Sequence, residues 1–160
     1  QYVIIRPTLI YGPGVKGNFL KLLNLINSNF PLPFGAVNNK RSLIYVNNLS
    51  DFILTCATSN KANGKTFLIS DNEIYSSSVL IDKVKTKLKA KSLLLPIPQR
   101  ILTIFFKFIL QYKRVEKILD SLEVDCRKSC EILGWEQPFS SDYGLKETVE
   151  WFKSEIKNKK

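Results

Sequence analysis

The chain contains no histidine and no methionine, and its three cysteines are an odd number without the spacing of a disulfide framework. Without histidine, and with only Cys126 and Cys130 close together at i, i+4, a zinc site lacks ligands, so no metal is expected. The thiols read instead as buried or idle groups in a reducing compartment, and a cytoplasmic setting follows. No Asp or Glu occurs before Asp51, which leaves the first third of the chain with unopposed positive charge. Long apolar runs are missing too. The strongest, IPQRILTIFFKFILQY, carries Arg100 and Lys107 and falls short of the about 20 apolar residues of a spanning helix. Stable membrane insertion is therefore not expected.

What is present fits one ordinary domain. The 160 residues are 44% hydrophobic and 11% aromatic, enough to bury a core, and the formal net charge is +10. Such a charge suits nucleic acid, an anionic membrane surface or phosphorylated ligands. No RNA-recognition signature, zinc finger or basic array with interleaved aromatics is found, so nucleic acid is not the expected partner. Gln1 leads straight into a strand-like run, and this start, with the absence of Met, predicts a piece of a longer protein cut on its N-terminal side. A processed mature chain is the alternative.

Periodicity gives an alternation of strands and helices. Tyr2–Ile5 reads as a buried strand ending near Pro7. Phe19–Asn27 reads as a helix capped by Asn18, with Phe19, Leu22, Leu23 and Ile26 at helical spacing. A loop rich in Asn and Pro follows, then a strand over Ser42–Val46. A helix begins at the cap Asn48 and runs to Ala57, with Leu49, Phe52, Ile53 and Cys56 on one face. TFLIS is a compact strand, Ser76–Leu88 an amphipathic helix with Lys83, Lys85 and Lys87 on its polar face, and SLLLPIP an extended piece. Helices follow over Gln99 to about Tyr112, Val115–Ser121, Cys126–Leu133 (stopped by Gly134) and Tyr143–Ile156. The Gln99 helix reads as a buried cover over an apolar pocket, with an amphipathic membrane-surface helix as the alternative. The alternation predicts an α/β fold with parallel pairing and few, short strands.

Gly12, Gly14 and Gly17 stand in the spacing G-x-G-x-x-G between a strand and a helix, the context of a dinucleotide loop. Three points oppose that reading. Gly17 precedes the expected cap Asn18 and so lies before the helix rather than in it. Pro13 removes a backbone N–H from the arc that would cradle phosphate. No acidic residue stands about 20 positions on to grip a ribose. The turn can still present an anion with free N–H groups at a helix start, or can be a plain strand-to-helix turn; residue types leave both open.

Taken together, RPTLIYGPG, GNF, KRSLIYVNNLSD, DCRKSCEILGWEQP and GLKETVEWFK resemble the C-terminal half of the extended short-chain dehydrogenase/reductase family. The similarity is strongest to the NAD-dependent nucleotide-sugar epimerases and dehydratases of the UDP-glucose 4-epimerase type. The resemblance implies the C-terminal part of a Rossmann-like enzyme, with a mostly helical substrate-binding subdomain. Residues about 1–12 and 66–70 would complete the Rossmann sheet, and the N-terminal NAD-binding portion would lie outside the chain. It implies that Pro7 and Thr8 pass close to the nicotinamide of NAD and Leu9 close to the sugar. It also implies that Asn18 and Phe19 contact the nucleotide, and that Arg41 grips the diphosphate of a UDP-sugar with paired N–H donors. Arg114 or Lys117 would be a second basic ligand, and the parent enzyme is expected to form a homodimer.

Two departures stand out. The family often has Asp where this chain has Asn48, a change read as neutral because Asn caps a helix as well as Asp. The catalytic Tyr-x-x-x-Lys pair is absent. Tyr2, Tyr11, Tyr45, Tyr75, Tyr112 and Tyr143 are followed four residues later by Arg6, Val15, Leu49, Val79, Glu116 and Glu147. The N-terminal glycine motif for NAD is absent as well, so hydride transfer in the family manner is not expected of this chain alone. The alternative function is a non-catalytic cationic module that binds an anionic membrane surface or a protein partner.

Overall fold

The computed structural model describes residues 2–108 and 119–158, with side chains from 106 to 108 left aside. Strands β1 (Ile4–Pro7), β2 (Leu9–Tyr11), β3 (Arg41–Tyr45), β4 (Thr66–Ile69) and β5 (Ile74–Tyr75) alternate with helices. The helices are α1 (Gly17–Asn27), α2 (Val46–Thr58), α3 (Ser77–Leu88), α4 (Gln99–Phe108), α5 (Arg127–Leu133) and α6 (Ser141–Asn158). The fold is α/β, as the alternation predicts. β1 pairs in parallel with β4, and β2 pairs in parallel with β3 in a sheet ordered β2-β3-β5.

The chain divides into two compact units. One comprises Gln1–Val15, Ser42–Ile74 and Glu123–Lys160; the other comprises Lys16–Arg41 and Tyr75–Leu122. The first unit is built around Ile44, Leu49, Phe52, Cys56, Phe67, Ile69, Cys126 and Trp135. Trp135 packs edge-on against Phe52 at 5.2 Å between ring centres, and its indole N–H donates to Asp51 at 2.6 Å. An aromatic pair of this kind adds about 0.5–1.5 kcal/mol to its area burial. α5 ends at Gly134 in the left-handed conformation (φ 63°), the expected stop.

In the second unit α1 packs on α3, joining Phe19, Leu23 and Ile26 to a face of Leu80, Ile81, Val84 and Leu88. The Ser76 hydroxyl caps α3 by accepting from the Val79 N–H, and Lys85 and Lys87 lie in its last turn, where the helix dipole favours cations. The extended SLLLPIP stretch makes no named strand. It forms parallel bridges at Leu94 with Leu32 and at Pro98 with Ala36 instead.

Several expectations need correction. The first strand starts at Ile4 rather than Tyr2, and Leu9–Tyr11 and Ile74–Tyr75 are strands the periodicity did not separate. Asn18 does not cap α1. The helix begins at Gly17, its cap position is Lys16, and no side chain caps it. Gly17 is thus the first helical residue, in the left-handed region at φ 64°, rather than a residue before the helix. Asn48 does not cap α2 either, because that helix begins two residues earlier at Val46 with Tyr45 in the cap position. Of the four residues expected on one face of α2, Leu49, Phe52 and Cys56 are buried and Ile53 is exposed. α4 is not a wholly buried cover: Leu102 is buried, but Ile101, Ile104 and Phe105 are exposed.

Candidate functional site

Arg41, the expected diphosphate ligand, is the first residue of β3 and is half-buried. A returning segment holds it. The Arg41 Nη1 donates to the Asp120 carbonyl at 3.1 Å, Leu122 N–H donates to Lys40 O at 2.8 Å, and Arg41 bridges Leu122. Burial pulls the guanidinium below its ordinary pKa and the Asp120 carboxylate opposes that shift. Arg stays protonated at neutral pH in any protein setting, so the group is a fixed, partly desolvated cation. Partial desolvation strengthens its attraction for an anion relative to a fully hydrated charge.

Asn39, two residues before Arg41, was not singled out in the sequence. It is buried, donates to the Asp120 carbonyl at 2.9 Å and accepts from the Ser77 N–H at 2.7 Å. One amide thus joins the start of α3 to the segment that positions Arg41. Asn18 is exposed in the first turn of α1, whereas Phe19 is buried in the core of its unit. Arg114 and Lys117 lie outside the described residues.

In the other unit Pro7, Thr8 and Leu9 form the link from β1 to β2. Pro7 is exposed, Leu9 is half-buried and Thr8 is 8% exposed. The Thr8 hydroxyl is buried without a hydrogen-bond partner among the described residues. An orphaned buried hydroxyl costs about 1–3 kcal/mol unless another group satisfies it.

The most elaborate polar arrangement was not anticipated. Asp71, 2% exposed, accepts from Tyr11 OH at 2.8 Å, from the Tyr45 N–H at 3.1 Å and from Asn48 Nδ2 at 2.8 Å. The Ser141 hydroxyl reaches both Asp71, at 3.2 Å, and Glu73. Burial raises the Asp71 carboxyl above its ordinary pKa, while the bonds from Asn48, Tyr11, Tyr45 and Ser141 pull the other way. Because Tyr45 is the cap residue of α2, the carboxylate takes up an N–H at the positive end of that helix. Asn48 completes the pin: its Nδ2 also donates to Phe139 O at 2.9 Å and its Oδ1 accepts from Phe139 N–H at 3.0 Å. So enclosed a carboxylate binds structure together rather than substrate. The sequence held one sign of it, an Asn where the family often has Asp. The partner Asp71, 23 residues away in sequence, could not be read from spacing.

No protein-family model matches the chain. A UDP-glucose 4-epimerase of Vibrio cholerae is 39% identical over 153 residues, covering 95% of this chain and 47% of that protein. An N-acetyl-α-D-glucosaminyl-diphospho-ditrans,octacis-undecaprenol 4-epimerase of Escherichia coli O157:H7 is 27% identical over 92% of this chain and 48% of its own length. Among solved structures, UDP-glucuronic acid 4-epimerase from Bacillus cereus, in complex with UDP-glucuronic acid and NAD, shares the fold. Its TM-score is 0.68 at 15% identity, over 95% of this chain and 45% of that one. The chain spans about half the length of the relatives it matches, and that partial match is to the NAD-dependent nucleotide-sugar epimerase family of the UDP-glucose 4-epimerase kind.

Proposed function

We propose that the chain is the substrate-binding C-terminal portion of an NAD-dependent nucleotide-sugar epimerase or dehydratase acting on a UDP-sugar. The observation that carries this reading is Arg41, a half-buried cation held in place by the Asp120 carbonyl within the KRSLIYVNNLSD motif. The 39% identical relative, named a UDP-glucose 4-epimerase, supports the nucleoside diphosphate as the carrier of the sugar. The Escherichia coli relative's name joins a diphosphate to a polyprenol instead, and Arg41 would meet the same diphosphate there.

In the whole enzyme Arg41 holds the diphosphate, the exposed Asn18 at the start of α1 receives the nucleotide with the buried Phe19 beneath it, and Leu9 borders the sugar. Pro7 and Thr8 face the nicotinamide, where the Thr8 hydroxyl gains the partner it lacks. NAD would supply the hydride acceptor and donor for a reaction at a sugar carbon that passes through a keto-sugar. The acid–base pair for that step belongs to a Tyr-x-x-x-Lys motif that this chain does not contain, and the chain alone is inactive. β1 and β4 support the placement. Parallel sheets usually lie buried on both faces, and this pair exposes Ile4 and Leu68 on one face, as a sheet lacking a covering layer does.

The natural coding sequence ahead of Gln1 tests this. A glycine motif after a first strand, with Tyr-x-x-x-Lys before Gln1, is the expected result. A start codon close to Gln1 would contradict the reading.

A further inference from the structure

The positive charge is not spread over the chain. The stretches 16–41 and 75–122, which form the second unit, hold 14 Lys and Arg against three Asp and Glu, a formal +11. The rest of the chain holds ten against eleven, a formal −1. One unit therefore carries the whole net charge. The same unit exposes large apolar side chains. On α4, Leu102 is 2% exposed and faces inward, while Ile101 is 56%, Ile104 57% and Phe105 57% exposed. Positions 101, 104 and 105 have the i, i+3, i+4 spacing of one helix stripe. Arg100 beside them is exposed, α4 has no acidic residue, and Leu93 and Phe30 of this unit are exposed as well.

We propose that this unit seats on an anionic lipid bilayer through the Ile101–Ile104 stripe of α4, in addition to whatever the chain binds as part of an enzyme. A stripe of apolar side chains on a strongly cationic body is the combination that lies in a membrane interface: the apolar side enters the headgroup boundary and the cations meet anionic lipid. The basic residues include the alternating series Lys83, Lys85, Lys87, Lys89 and Lys91, a diffuse charge rather than a shaped recognition fork. Diffuse charge suits a fluid surface better than a protein epitope with fixed carboxylates. The helix lies on the membrane and does not cross it; no helix among the described residues is long and apolar enough to span.

Flotation of the full chain with vesicles tests this, using phosphatidylglycerol mixed with phosphatidylcholine against phosphatidylcholine alone. Binding is expected only to the anionic vesicles. It should fall about tenfold or more when salt rises from about 0.1 M to about 1 M, which shortens the Debye length from about 10 Å to about 3 Å. The variant Ile101→Ser with Ile104→Ser should keep its melting temperature, since both side chains are exposed, and lose about tenfold in partitioning. Failure to float with anionic vesicles would overturn the proposal. So would equal binding by the double variant, which would leave charge alone as the cause. A chain that dimerises through this stripe, dissociates on the double substitution and ignores vesicles would make a second copy the occupant instead.

Discussion

Asn48 Nδ2 donates to Asp71 Oδ1 at 2.8 Å, and the same Asn48 amide exchanges two hydrogen bonds with the backbone of Phe139. The amide's oxygen and nitrogen are thereby fixed, and only a donor can face Asp71. Asn48 therefore meets the buried carboxylate with a donor. With Asp71 buried beside it, a second carboxylate would meet the first.

Asn48→Asp is accordingly expected to destabilise the fold by about 2–4 kcal/mol at neutral pH, since a buried donor becomes a like charge. The sign with pH follows from Asp71. Its folded pKa is raised, so its ionised form is disfavoured in the fold, and that cost is complete above the folded pKa. It is relieved as the pH falls through that value towards the ordinary carboxylate range. The difference in melting temperature between variant and parent should therefore narrow on acidification. A difference that widens would contradict the pairing.

Tyr11→Phe removes the 2.8 Å donor to Asp71 and the longer 3.3 Å contact to the Ser141 carbonyl. A loss of about 1–2 kcal/mol in denaturant unfolding is expected.

Gly144→Ala tests packing at the foot of α6. A helix interior usually gains about 1 kcal/mol from this change. Here a Cβ would lie 2.7 Å from the Tyr45 ring and 2.9 Å from the Tyr11 hydroxyl, both buried. Overpacking costs about 1–3 kcal/mol and outweighs the helix gain, so net destabilisation is expected in thermal melts.

Cys130 bears on reactivity. Burial, with Cys126 beside it, pushes its thiol up to about 12. At about pH 8 the thiolate fraction falls roughly a thousandfold below that of an ordinary cysteine. Iodoacetamide should label Cys130 slowly in the folded chain and rapidly once urea is added.

Much of the fold was legible in the sequence because it rests on local signals. Gly134 stops α5, and the helical spacing of Phe19, Leu23 and Ile26 marks a buried face. The errors came where a distant residue took over a local role. Asn48 and Asn18 have the side chains of helix caps, yet α2 begins earlier and its cap-position N–H is taken by Asp71, which no window around Asn48 contains. α1 begins at Gly17, two residues earlier than a cap at Asn18 implied. Arg41 was found through its motif. Its support by Asn39 and the segment around Asp120 spans some eighty residues of sequence and shows only in three dimensions.

The most direct measurement is a calorimetric titration of the full chain with UDP and, separately, with inorganic phosphate. Saturable binding of UDP in preference to phosphate is expected, weakened about tenfold or more by Arg41→Ala and less by Arg41→Lys, because a point charge replaces a paired donor. A chain that melts cooperatively but shows no preference for UDP over phosphate, or binds UDP equally without Arg41, would contradict the proposed nucleotide-sugar site.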